Sequence, residues 1–209
     1  TNIGLARAYN RADDVARGKY LLLLNSDAFL SQGSLKELLE FAESTPNLGA
    51  VSPKLVNPDG SPQPLAFHPP TVLGAVKEYW FNQKTAFSKY LPPLDNPITV
   101  EMLADSCLLI PRAVFRLVGR ANETFFLYFN DLDLCGRIHR HGLDIWYHPS
   151  ISVSHLLGSS GKSNQPSPKY LIDSLTWPIR GMVKPRPQAI AQKFFLEDSI
   201  RYFGWVRHT

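Results

Sequence analysis

The sequence predicts one α/β domain built on a mixed sheet, and three observations carry that expectation. A continuous apolar run, Tyr20 to Leu24, is cut off by Asn25, Ser26 and Asp27, as a strand buried on both faces would be. Leu35, Leu38, Leu39 and Phe41 then recur at helical spacing, and strand-like and helix-like stretches go on alternating to about residue 155. At 209 residues and 44% apolar content the chain can bury one sizeable core, and nothing in its length demands two.

Taken in order, Leu5 to Ala16 has helical spacing and Gly18 stops it. The strand Tyr20 to Leu24 follows, its polar tip placed where open α/β sheets bind ligands. Ser34 and Glu37 have the spacing of a capping box before a helix that ends near Pro46. Leu48 to Leu55 is strand-like, Asn57 to Gly60 is a turn, and the proline-rich stretch 62–70 reads as extended. The aromatics and prolines of 71–97 show no clean period. Val100 to Ile110 reads as a second central strand, and Pro111 opens a helix to about Val118. An aromatic run, Phe125 to Phe129, leads into a helix marked by Leu134, Ile138 and the stop Gly142. Ile145 to Tyr147 and Ile151 to Ser154 are strand-like, 158–168 has loop chemistry, and Gln188 to Trp205 is helical in pattern.

Composition excludes some function classes. Lysine and arginine outnumber acidic residues 22 to 18, a balance of +4 that suits an anionic ligand. The basic residues are scattered, so nucleic acid is not an expected partner. The densest group, Arg137 to His141, falls in a helical pattern and reads as a solvated face. Cys107 and Cys135 lie in apolar or helical stretches as reduced thiols, which points to a cytoplasmic setting. No run reaches the roughly 18–20 apolar residues of a membrane span.

Three residues suited to metal or proton chemistry follow apolar or aromatic runs: Asp27, Asp131 and His155. A carboxylate and an imidazole both suit a divalent ion that could bridge a diphosphate. Each has a plainer reading as well, Asp27 as a turn or cap aspartate and His155 as a satisfied core histidine.

The stretches GKYLLLLNSDAFL, FFLYFNDLDLCGRIHRHGLDIWYHP and ISVSHLLGSS, with NIGLARAYNRA at the start, resemble the family 2 glycosyltransferases, particularly their bacterial rhamnosyltransferase-like branch. The likeness spans about Thr1 to Ser160. It implies a GT-A fold whose first βαβ segment is missing, an N-terminally truncated domain over 1–160, a loop or linker over 161–187 and a C-terminal helix over 188–209. It implies an inverting transferase using Mn²⁺ or Mg²⁺, a dTDP- or UDP-sugar and a glycan or lipid-linked acceptor, at the inner face of the membrane. Asp27, ending the family's Asp-x-Asp site as Asn25-Ser26-Asp27, and His155 would hold the metal. Asp131 would be the general base, with Asp133 as its competitor. Asn25, Ser26, Asp105, Ser106 and Asn130 would line the donor and acceptor side, and Asn2 and Arg7 would touch the nucleotide. Asn130 stands where the family has glutamate, which leaves a non-catalytic carbohydrate-binding or scaffold remnant as the rival. The aromatic and basic tail FFLEDSIRYFGWVRHT suits peripheral membrane association or packing on its own domain.

Overall fold

The structure, a computed structural model, describes residues 2–84 and 88–156. Helix α1 (Leu5–Val15) follows Gly4, which holds φ at 84°. A Cβ there would sit 2.8 Å from Phe126 Cδ2 and 2.9 Å from the Phe126 carbonyl, the acceptor of the Leu5 N–H, so only glycine allows this close approach. Strands β1 (Tyr20–Leu24) and β2 (Ala28–Leu30) come next, then helix α2 (Ser34–Ser44) and strand β3 (Leu48–Val56). β4 (Ala66–Phe67), α3 (Val72–Phe81), β5 (Ile98–Thr99) and β6 (Met102–Leu103) fill the middle of the chain. β7 (Cys107–Pro111), α4 (Arg112–Leu117), α5 (Asn130–Arg140) and β8 (Asp144–His155) complete the described part.

The main sheet runs β1-β7-β3-β8-β2, with β5 also on β8, and β4 and β6 form a separate ribbon. Only β3 and β8 pair in parallel; the other pairings are antiparallel, which makes the sheet mixed. Its core lies on both faces. Leu109 of β7 joins Leu38, Ala42 and Val51 under α2, while Leu108 and Ile110 point the other way to Phe115, Leu134 and Ile138 under α4 and α5. Alternation along an extended strand produces this split, and each fully buried aliphatic contributes about 1.5–3 kcal/mol.

Several expectations change on contact with tertiary structure. Among the described residues β1 pairs with β7 alone and is mostly half-buried, and β7 takes the doubly buried place between β1 and β3. The run Val100 to Ile110 is broken: the chain turns at Asp105 and Ser106, which sets two buried polar side chains at the start of β7. Ser34 does not cap α2. Gly33, left-handed at φ 90°, stands at the N-cap, and the Ser34 hydroxyl donates to the Ser152 carbonyl at 3.2 Å, tying helix to sheet. The runs at 145–147 and 151–154 form one strand, because a register shift between Pro53 and Lys54 of β3 accommodates Pro149. Helix α3, missed by periodicity, starts at Thr71, whose hydroxyl accepts from the Gly74 N–H at 2.9 Å. Arg137 is no solvated residue: it binds Asp133 and the carbonyls of Val118 and Arg120. Both cysteines are buried and free. The loop and linker expected over 158–187 and the helix over 188–209 lie outside the described residues.

Candidate active site

Strand direction decides which polar residues meet. β1, β3 and β8 all finish at one edge of the sheet, and β7, antiparallel to β1, begins there. Asn25 to Asp27 follow β1, Gln63 hangs from β3 through its N–H to the Leu55 carbonyl, His155 ends β8, and Asp105 and Ser106 precede β7. The sheet thus gathers residues up to 130 positions apart.

At the β8 side, pairing of Ala28 with His155 sets Asp27 against the imidazole. His155 Nε2 lies 3.4 Å from Asp27 Oδ1, and both side chains are about 95% buried, their relative exposures being 6% and 5%. The Asn25 amide is 3.5 Å from the same Nε2 and 3.4 Å from the Ser106 hydroxyl, and the Asn25 N–H donates to the Ser106 carbonyl at 3.0 Å. Burial lowers the His155 pKa, partly offset by Asp27. A neutral imidazole and a carboxylate converging on one point form a donor set that fits a hard divalent ion. Among the described residues no group of three or more His, Cys, Asp or Glu comes together as a metal-binding cluster.

A second cluster begins one residue before Ser106. Asp105 Oδ2 accepts from the Tyr9 hydroxyl at 3.0 Å and from the Asn130 amide at 2.9 Å. Asn130 and Asp131 open α5, where Asp131 Oδ1 accepts from the Leu132 N–H at 2.9 Å. Burial first, and then the Asp105 charge, push Asp131 up to about 7, against the pull of Lys89. Asp105 is also raised by burial, opposed by its two hydrogen bonds and by Lys89. Tyr9 is raised by burial and by Asp105. Two neighbouring carboxyls both raised by burial, one of them raised further by the charge of the other, are an arrangement found where proton transfer is done.

Asp133, by contrast, is held by Arg137 at 2.8–2.9 Å, an i,i+4 pair that leaves Asp131 as the carboxylate turned to the cluster. Ser26 sits in the turn between β1 and β2. Asn2 and Arg7 are locally engaged: Asn2 Oδ1 accepts from the Gly4 N–H at 3.0 Å, and Arg7 pairs with Glu123 at 3.2 Å. Sequence reasoning missed three residues here. Tyr9 could have been found as the residue one helical turn before Asp13 on α1. Gln63 and Lys89 had no signal, one being inside the proline-rich stretch and the other inside the aperiodic one. The charge of Lys89 is felt at Asp105, Asp131 and His155 alike.

Comparison with known proteins identifies the family and the fold. The family model described as Glycosyl transferase family 2 matches residues 1–116. The N-acetylglucosaminyl-diphospho-decaprenol L-rhamnosyltransferase of Mycobacterium tuberculosis is 33% identical over 144 residues, covering 65% of this chain and 46% of that protein. The low-salt glycan biosynthesis hexosyltransferase Agl10 of Haloferax volcanii is 28% identical over 136 residues, 65% of this chain and 41% of its own length. The chain therefore spans about half the length of the curated relatives it matches. Among solved structures, GalNAc-T7 with UDP, GalNAc and Mn²⁺ superposes with a TM-score of 0.59 at 14% identity, covering 93% of this chain and 41% of that one. That likeness carries the fold, which is GT-A.

Proposed function

The chain belongs to glycosyl transferase family 2, and from that premise we propose that it works as an inverting, divalent-cation-dependent glycosyltransferase. The reading rests on one observation above all: the Asp27–His155 pair and the raised carboxyl of Asp131 occupy the same end of one sheet, joined through the neighbours Asp105 and Ser106.

In this reading the acceptor hydroxyl attacks the anomeric carbon while the bond from that carbon to the diphosphate oxygen breaks. Asp131 takes the hydroxyl proton. A base raised to about 7 has enough affinity to accept that proton and still keeps a substantial ionised fraction at neutral pH. Asp27 and His155 would hold Mn²⁺ or Mg²⁺, which supplies Lewis-acid stabilisation of the departing diphosphate when bound. Asn25, Ser26, Asp105, Ser106 and Asn130 contact donor sugar and acceptor. Asn2 and Arg7 contact the nucleotide. The Arg7 pair with Glu123 is largely exposed, so exchanging it for a phosphate costs little.

The donor is a dTDP- or UDP-linked hexose, with rhamnose favoured by the likeness to the mycobacterial enzyme. The acceptor is a hydroxyl of a cell-envelope glycan or lipid-linked glycan, reached from the cytoplasmic face of the membrane. Among the described residues no helix is long and apolar enough to cross a membrane.

Calorimetry with a panel of dTDP- and UDP-sugars, with and without Mn²⁺, tests the reading. One donor binds only with the ion, Asp27→Ala abolishes that binding, and Asp131→Asn retains it while failing to transfer. Sugar binding indifferent to both the ion and Asp27→Ala would instead identify a carbohydrate-binding remnant.

A further inference from the structure

A hydrogen-bond chain in the turn after β3 has only one possible direction. Asp59, a carboxylate held below its usual range by Ser61, can only accept. The Ser61 hydroxyl therefore donates to Asp59 Oδ1 at 2.6 Å, and its oxygen accepts from Asn57 Nδ2 at 2.9 Å. Asn57 thus turns its Oδ1 to Gln63, whose Nε2 donates to it at 2.7 Å. The same Nε2 donates to the His155 carbonyl at 2.7 Å, so both amide hydrogens of Gln63 are committed to oxygens. Rotating that amide by 180° would set three oxygens against one another. What remains toward the ring is Gln63 Oε1, 2.9 Å from His155 Nδ1.

A carbonyl oxygen cannot donate, so Nδ1 must carry the proton. A neutral imidazole has one N–H, and the Nε2 lone pair is therefore the atom beside Asp27 and the Asn25 amide. We propose that Gln63 is the positioning residue that locks His155 in its Nδ1–H tautomer and so presents the Nε2 lone pair, next to the Asp27 carboxylate, to a divalent cation. Gln63 is 2% exposed and touches no reacting atom; it acts only through the histidine. Metal-binding histidines commonly need such a partner on the other ring nitrogen, and its removal weakens the metal about 10–100-fold. The cation itself rests on the function proposed above, but the tautomer does not.

The experiment separates the two. The ¹⁵N imidazole resonances of the metal-free, histidine-labelled protein report the tautomer, with His155 assigned by comparison with His155→Asn. Titration with Mn²⁺ alone reports affinity. The parent shows Nδ1–H; Gln63→Leu shows mixed tautomers and binds Mn²⁺ about 10–100-fold more weakly. Gln63→Glu, which keeps an acceptor for Nδ1–H but loses the amide donors, retains the tautomer and most of the affinity. An Nε2–H resonance in the parent overturns the proposal outright. Equal weakening in the Leu and Glu variants with an unchanged tautomer also overturns it, because Gln63 would then merely prop the turn. A parent with Nδ1–H that fails to bind Mn²⁺ supports the tautomer and removes the metal reading instead.

Discussion

Helix α1 carries Tyr9 and Asp13 one turn apart, and the aspartates found at these two places live in opposite electrostatic surroundings. Asp13, 1% exposed, meets Arg112, Arg116 and Arg120 at 2.8–3.3 Å. Burial would raise its pKa, but the arginine hydrogen bonds and charges outweigh that and leave it lowered. Asp105, bonded by Tyr9, is almost as buried, yet its two direct partners, Tyr9 and Asn130, are neutral, and Asp131 adds like charge. One site is matched by its own chain. The other is matched only in part, by the charge of Lys89, which suits a place where a proton and a charged substrate arrive from outside.

The sign of each shift gives the two sites opposite pH behaviour. Asp13, lowered on folding, contributes stability that is present above the ordinary aspartate range and lost as acid protonates it. Asp105 and Asp131, raised on folding, disfavour the folded state as pH climbs above the ordinary aspartate range, for Asp131 toward about 7. The largest expected effect follows. Asp131→Asn lowers the transfer rate about 10²–10⁴-fold, and thermal melts at neutral pH show equal or greater stability than the parent. A variant that loses stability along with activity would make Asp131 a structural carboxylate like Asp13.

Asp13→Asn should do the reverse. Removing the centre of the arginine cluster costs about 2–3 kcal/mol in urea unfolding, below the range for a fully buried pair because Arg116 and Arg120 can turn to water. Donor affinity of the folded protein stays within a few-fold of the parent. A loss of donor binding at constant stability would show that the arginine cluster serves the site.

The pH profile sharpens the contrast further. kcat/KM rises with pH as the Asp105–Asp131 pair loses its proton, with an apparent pKa near 7. Asp105→Asn removes a like charge and moves the rise to lower pH, while Lys89→Gln removes an opposing charge and moves it to higher pH. Shifts in the same direction for both variants would break the assignment of the pair.

Much of this was legible in the sequence for a physical reason. Asp27, Asp131 and His155 each follow a long apolar or aromatic run, and such runs report where a buried segment stops. What could not be read was whatever depended on strand order. β1 looked central because four leucines fill it, but among the described residues it pairs with β7 alone, and β7 lies between two neighbours. Gln63 and Lys89 sit in stretches with no period, and only the parallel pairing of β3 with β8 brings Gln63 to His155. Ser34 had the spacing of a cap, yet the tertiary acceptor at Ser152 won its hydroxyl.

The smallest expected effect concerns Asp133, whose place two residues after Asp131 made it the rival base. Arg137 reaches it through Nε at 2.9 Å and Nη2 at 2.8 Å, and the same guanidinium donates to the Val118 and Arg120 carbonyls. A carboxylate fixed this way has a charge partner within its own helix, as Asp13 has across helices. Asp133→Asn keeps an oxygen that can accept from Arg137, so unfolding should cost only about 0.5–1 kcal/mol. Transfer activity should fall less than about three-fold, against the 10²–10⁴-fold expected at Asp131. Equal losses of activity at the two positions would mean that α5 is merely disturbed at its start, and the base would have to be sought at Asp105.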